Sequence, residues 1–358
     1  MRLVYVFIAT LVLFSVFTYA FVDKNLSYLN NLYTGLYFTN RFLLVSIYTF
    51  LISILFGCFY FLINHQKKIN LKKIIFFTIT VTIFAYPAAL AFDIFNYITT
   101  AKVLFLYQEN PYTIYPIEFK GDPYLEFTRA ANKTALYGPF WIILTGIPYF
   151  LGLGNFIVIL FSFKLFIVGF FASTVFLINK IDKNATLFFA LNPLVIIETL
   201  VSSHNDIVMI FFALLGIYFL KSRKVLSFFS LLASIMIKFA TVFLIPVFLL
   251  SLFTKFRSKY RYFAISMLVV FFVSPLREEL YPWYAIWFIA FTAFLYKNKF
   301  LQNLVLVFSF GLMLRYIPYM ASGNYFGPTP IIRNILMLSP VLVFLIYSWF
   351  RSLKRKNA

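Results

Sequence analysis

The chain has 358 residues, 63% of them hydrophobic and only 12% charged, with a mean hydropathy of +0.90. A soluble domain carries roughly a quarter charged residues and just under half apolar ones, so a soluble fold is excluded. The 31 bases against 11 acids give +20, yet the bases fall in short clusters between apolar runs, the pattern of loops flanking membrane spans rather than of a nucleic-acid surface.

The first apolar run, 4–22 behind Arg2, imitates a signal peptide, but further spans follow it and favour a retained first helix. The other runs lie near 42–64, 74–92, 140–153, 155–178, 185–201, 206–220, 225–253, 263–273, 283–296, 300–316 and 331–350. A spanning helix needs about 20 residues, so twelve would use roughly 240 and leave about 118 for everything else. The expected fold is all-α, a polytopic transmembrane helical bundle of about 12–13 membrane segments forming one integral membrane domain over 1–358. The run 225–253 is too long for one straight span and carries Lys238 in its middle. A charge at mid-membrane costs several kcal/mol, which predicts two short helices breaking near Lys238-Phe239-Ala240 and Lys238 at an interface or a watered cavity.

Placing the basic segments 65–73, 221–224, 255–262, 297–299 and 351–358 in the cytoplasm puts both termini inside. The segments 93–137, 202–206, 274–283 and 317–330 then face outward, and 140–153 becomes a short re-entrant or interfacial piece. The outer stretch 93–137 is the longest polar segment, expected to carry short amphipathic helices, and holds five of the eleven acids. Cys58 is the sole cysteine, so disulfides within the chain and thiolate zinc sites are excluded. His65 sits among lysines and the outer carboxylates are dispersed, so no metal set is expected and nothing calls for a divalent cation.

Two polar clusters stand against this apolar background. Asp93 follows directly on an apolar span; if 93–107 is helical, it shares a face with Asn96, Tyr97 and Thr100. A carboxylate held partly desolvated at a membrane surface is a good proton acceptor, although a solvated or helix-capping Asp fits the same position. The second cluster runs from Asn192-Pro193-Leu194 through Glu198 to His204-Asn205-Asp206. Pro193 would start or kink a helix, with Glu198 and Asn205 seven apart on one face. An imidazole beside an acid suits proton handling or a phosphate or sugar hydroxyl, while Asp206 also fits as a cap of the helix that follows. Lys238, Arg277 and Arg333 lie outside the cytoplasmic clusters and invite an anionic ligand, or else partner Glu278 and Glu279. Tyr281-Pro282-Trp283-Tyr284 is read most simply as an interfacial aromatic belt.

Together these residues resemble the polytopic GT-C glycosyltransferases, in the branch that uses polyprenyl-phosphate-mannose. The likeness rests on Asp93-Ile94-Phe95-Asn96-Tyr97 with Asn110-Pro111-Tyr112, on Tyr137-Gly138-Pro139, on Asn192-Pro193-Leu194 through Glu198 to His204-Asn205-Asp206, and on Lys238 and Pro246 with Pro282-Trp283-Tyr284. It covers roughly residues 90–285. Where relatives carry an Arg three after the Asp and an acid at plus seven, this chain has Asn96 and Thr100; Lys102 stands where an Arg is common, and Tyr281 where a His often precedes the Pro-Trp-Tyr. The resemblance implies a plasma-membrane enzyme with its site facing outward and Asp93 as general base. A sugar, mannose above all, would pass with inversion from a polyprenyl-phosphate donor to a lipid, glycan or protein acceptor. Basic groups must then stabilise the leaving phosphate; Lys238, Arg277 and His204 are the candidates. Asn205 and Asp206 would orient a sugar hydroxyl or the histidine, and Asn96, Tyr97, Lys102, Tyr137 and Glu198 complete the expected donor- and substrate-binding set. A transporter or flippase of lipid-linked saccharides is the competing reading, although no paired repeat halves are visible. Either way, the central expectation is spatial: Asp93 and the His204-Asn205-Asp206 triplet converge on one cavity.

Overall fold

A computed structural model describes residues 2–30, 34–64, 69–253, 259–276 and 279–356, and among these every regular element is a helix. Among the described residues, six helical stretches are long and apolar enough to cross a bilayer: Arg2–Phe21, Arg41–Asn64, Phe156–Ile181, Lys259–Leu276, Lys299–Ser322 and Thr329–Lys354. At 1.5 Å per residue these reach about 27 to 39 Å, against a hydrocarbon core of about 30 Å. Lys183–Ala190 and Pro193–Val201 form a seventh if the pair, bent by 67°, counts as one span. Five shorter apolar helices account for the remaining runs except 74–92: Pro139–Leu151, Asp206–Phe219, Lys224–Ile237, Phe239–Phe253 and Pro282–Leu295; the run 74–92 is helical only as far as Ile83. The polytopic helical bundle is therefore present, as befits an integral membrane protein, but about half of its apolar segments are too short to cross alone.

In chain order the α-helices are α1 (Arg2–Phe17), the single turn α2 (Leu36–Thr39), α3 (Arg41–Asn64), α4 (Leu71–Ile83), α5 (Asp93–Phe105), α6 (Pro139–Leu151), α7 (Phe156–Ile181), α8 (Lys183–Ala190), α9 (Pro193–Ile196), α10 (Asp206–Phe219), α11 (Lys224–Ile237), α12 (Ile245–Phe253), α13 (Lys259–Val273), α14 (Ala285–Thr292), α15 (Lys299–Leu314), α16 (Tyr316–Ser322) and α17 (Thr329–Lys356). Helix α10 packs on α7 and α11, α1 on α3 and α4, α13 on α14, and α15 on both α3 and α17. Every residue from 185 to 210 is buried, so α8, α9 and the start of α10 form the enclosed centre of the bundle. A helix that is apolar all round has no solvent face and belongs inside; the polar residues in this stretch are there against that tendency.

Two breaks decide where those polar groups point. At Asn192-Pro193 the proline has no N–H to continue α8 and disfavours a helical Asn192. Asn192 is extended, and its side-chain oxygen accepts the Leu194 N–H at 3.0 Å, capping α9. The second break is at Lys238, which is extended between α11 and a 3₁₀ stretch, Phe239–Leu244. The long run 225–253 thus divides at the residue whose charge forbids a continuous span.

Candidate active site

Helix α5 opens on Asp93, so this carboxylate stands at the positive end of a helix dipole. A turn later, Tyr97 reaches the second cluster, where its hydroxyl accepts the Asn205 backbone N–H at 3.2 Å. Asn96 turns to the loop, its side-chain oxygen taking the Ala130 N–H at 3.3 Å.

The stretch 197–205 is not the regular helix that would put Glu198 and Asn205 on one face. Residues Ile197–Val201 form a π-turn, with the Ser202 N–H donating to the Ile197 carbonyl at 2.8 Å. Ser203 then adopts φ 59°, a left-handed conformation uncommon away from glycine. The chain folds back so that the His204 N–H donates to the Glu198 carbonyl at 3.0 Å. Turns of both kinds recur at functional sites. Here they free 202–205 from the helical ladder and bring three residues into line.

His204 Nδ1 lies 3.3 Å from Asp93 Oδ2, and Nε2 lies 3.2 Å from Glu198 Oε2. Neither contact has full hydrogen-bond geometry, but both carboxylates lie within ion-pair distance of the ring. Burial of the imidazole would by itself lower its pKa; the flanking Asp93 and Glu198 outweigh that and raise it to about 9. His204 sits in the loop 202–205, between helices rather than within a span. Glu198 is fully enclosed and its other oxygen accepts the Tyr316 hydroxyl at 2.9 Å. Asp93 keeps 26% of its side chain exposed and is the lip of the cluster. Asp93 and His204 thus stand side by side across 111 residues of sequence.

Aromatic rings cover the other sides. Trp283 stacks on His204 at 4.0 Å between centroids and 16° between planes, and Tyr281 stacks on Trp283 at 4.4 Å. The motif read as an interfacial belt is instead largely buried and roofs the histidine. Asp206 begins α10, but its carboxylate is not a cap: it accepts from Lys238 Nζ at 2.9 and 3.0 Å and from the Trp287 indole N–H at 2.5 Å. Lys238 also stands 4.8 Å over the Tyr284 ring. Several enclosed polar atoms around this centre have no hydrogen-bond partner among the described residues, including Asn192 Nδ2, both side-chain heteroatoms of Asn205 and the hydroxyls of Ser202 and Ser203. Each such group costs about 1–3 kcal/mol until something bonds it.

Tyr137 packs edge-on against Tyr97 at 4.8 Å, and its carbonyl accepts the Tyr112 hydroxyl at 2.7 Å. Gly138 is required by close approach: its N–H donates to the Ile237 carbonyl at 3.0 Å, and a Cβ there would collide with the Met236 carbonyl. This fastens the loop to the end of α11 just before Lys238. Lys102 is not brought to the centre. It lies nine residues along α5 from Asp93, about 13 Å, where it pairs with Asp122 at 2.6 Å and sits 3.9 Å over Tyr124. Arg277 lies outside the described residues. Arg333 pairs with Glu279 at 2.7 Å, and Arg315 donates to the same carboxylate and to the Leu280 carbonyl while lying 5.0 Å over the Tyr281 ring.

Sequence reasoning overlooked Tyr316, Trp287 and Arg315. Arg315 and Trp287 carried a usable signal, a base at the end of an apolar run and one of four tryptophans. Tyr316, among 25 tyrosines, carried none.

No curated protein and no solved structure matches the chain. Residues 4–254, about seven-tenths of its length, match the family model described as "Alpha-(1->6)-mannopyranosyltransferase, N-terminal domain". That segment contains Asp93, Glu198, His204, Asp206 and Lys238, whereas Trp283, Trp287 and Tyr316 lie beyond it. The chain therefore belongs to the MptA/B mannosyltransferase family, the family of that N-terminal domain.

Proposed function

We propose that this protein transfers mannose, on the outer face of the membrane, from a polyprenyl-phosphate donor to a hydroxyl of a glycan, lipid or protein acceptor, with inversion. The observation that carries the reading is the Asp93–His204–Glu198 line, a partly exposed carboxylate backed by an enclosed ion pair. Asp93 Oδ2 is engaged by His204, which leaves Oδ1 to meet an acceptor hydroxyl at the lip. As the acceptor oxygen bonds to the anomeric carbon, its proton passes to Asp93. The bond from that carbon to the donor phosphate breaks, and the polyprenyl phosphate leaves with the electron pair. Inversion to the α linkage of the family's printed name requires a β-linked donor.

The imidazolium holds the Asp93 carboxylate in place before the step. Lys238, with Arg277, is the cation assigned to the charge that grows on the leaving phosphate. The unpartnered amide of Asn205 and the Ser202 and Ser203 hydroxyls supply hydrogen-bonding capacity suited to sugar hydroxyls. The donor is a substrate, and the step as drawn uses no divalent ion.

The test is Asp93→Asn in membranes supplied with labelled polyprenyl-phosphate-mannose. Loss of a positioned base should slow transfer by about 10²- to 10⁴-fold, while donor binding persists. Undiminished transfer would remove Asp93 from the role. Movement of the labelled lipid across vesicles without a new glycosidic bond would make the protein a transporter instead.

A further inference from the structure

The C-terminal ends of α3 and α17 and the N-terminal half of α15 border a groove that the transfer reaction does not use. It has a volume of about 660 Å³ and is lined by Tyr60, Lys299, Phe300, Asn303, Phe344 and Arg351, among others. A second cavity of about 260 Å³ adjoins it, with Lys299 lining both and Lys297 and Gln302 lining the smaller. The larger falls within the ~300–1,000 Å³ of small-molecule sites. Lys299 begins α15 and Tyr316, which touches Glu198, follows its far end, so the groove lies about 25 Å along that helix from the Glu198 contact. It lies at the other end of the Lys299–Ser322 stretch.

Three features specify an occupant. The rim is cationic: Lys297, Lys299 and Arg351 surround it, and no acid among the described residues lines either cavity. The walls are apolar, with Phe300 and Phe344 in ring contact at 5.6 Å and Leu306 and Val307 beside them. Polar capacity is left open between the two. Gln302 is only 4% exposed, yet its Nε2 has no hydrogen-bond partner among the described residues, and neither does Asn303 Oδ1. The first turn of α15 adds backbone N–H groups and the positive end of a helix dipole. An apolar slot under a cationic, donor-rich rim at a membrane boundary matches a lipid with a negatively charged head group. Helix α17 leaves room for one, since only 6% of its most apolar window is buried in the bundle.

We infer that this groove binds an anionic phospholipid of the adjoining leaflet, its phosphate held by Lys299 and Arg351 with Gln302 donating, and one acyl chain lying along Phe300 and Phe344. The inference does not depend on the transfer mechanism.

The test uses the purified full chain in detergent, titrated with phosphatidylglycerol or phosphatidylcholine of identical chains and read by native mass spectrometry. At five- to sixfold per membrane-surface charge, the Lys299→Gln/Arg351→Gln double variant should hold phosphatidylglycerol about thirtyfold more weakly and phosphatidylcholine unchanged. Lys354→Gln, a nearby base outside the groove, should alter neither. Unchanged melting temperatures establish that the variants are folded. The inference is overturned if the natural chain holds both lipids equally, or if Lys354→Gln costs as much as the double variant. It is equally overturned if sodium phosphate alone competes as well as the lipid, or if a second copy of the chain occupies the groove.

Discussion

The charge on His204 can be read directly, because the chain has two histidines only. Free histidine titrates near 6.5, whereas His204 between Asp93 and Glu198 titrates near 9. The folded state therefore holds a proton that the unfolded chain has released across the window from about 6.5 to 9. Stability from this source is complete below the lower value and is lost as pH rises through the upper one. A rise of that size corresponds to about 3 kcal/mol at 1.36 kcal/mol per unit, and the ring is fully enclosed, so solvent does little to discount it. Chemical unfolding in detergent from pH 6 to 10 should show the natural chain losing about 3 kcal/mol more than His204→Gln, in which nothing at that position titrates. Histidine-selective NMR gives the same quantity independently, with His65→Gln assigning the two signals. Equal pH slopes for the two proteins, or a His204 midpoint at or below 6.5, would show that the carboxylates do not hold the ring charged.

Two further outcomes follow from the contacts around α11. Lys238→Met strands the Asp206 carboxylate, fully buried, with the Trp287 N–H as its remaining partner, and should cost about 3 kcal/mol. The Lys238→Met/Asp206→Asn double variant should cost only roughly 1 kcal/mol, because the stranded charge is gone; equal costs in detergent unfolding would mean the two groups are not coupled. Gly138→Ala should destabilise by about 1–3 kcal/mol by pushing the loop off the Met236 carbonyl. Gly57→Ala, where an added methyl meets nothing within 4 Å, should be neutral or mildly stabilising in the same melts.

What the sequence disclosed and what it withheld divide along a physical line. The break at Lys238 was legible because an apolar run has a length limit and a charge in its middle has a cost. The meeting of Asp93 with His204 was legible because isolated polar residues in so apolar a chain have few places to go. The face shared by Glu198 and Asn205 was not, since residue counting assumes 3.6 per turn and a π-turn followed by left-handed Ser203 abolishes that spacing. The Trp283 roof over His204 was hidden by composition: with 22% aromatic residues, an interfacial belt is the simpler reading of Tyr281-Pro282-Trp283-Tyr284. Lys102 looked like a site residue by its register from Asp93, but Asp122, twenty residues on, neutralises it within the loop. The pairing of Arg333 with Glu279 was one of its two readings; that Arg315 joins the same carboxylate depends on tertiary folding alone.

The partners that complete the central cluster have a consequence for how the chain can be divided. The family segment ends at residue 254, but the indole over the imidazole, the N–H on Asp206 and the phenol on Glu198 all come from later turns. A fragment cut at that boundary would keep Asp93, Glu198, Asp206 and the histidine, yet strip the last three of a neighbour and open the packed centre to lipid or water. The two portions are halves of one working part, and neither is a module that could be borrowed without the other.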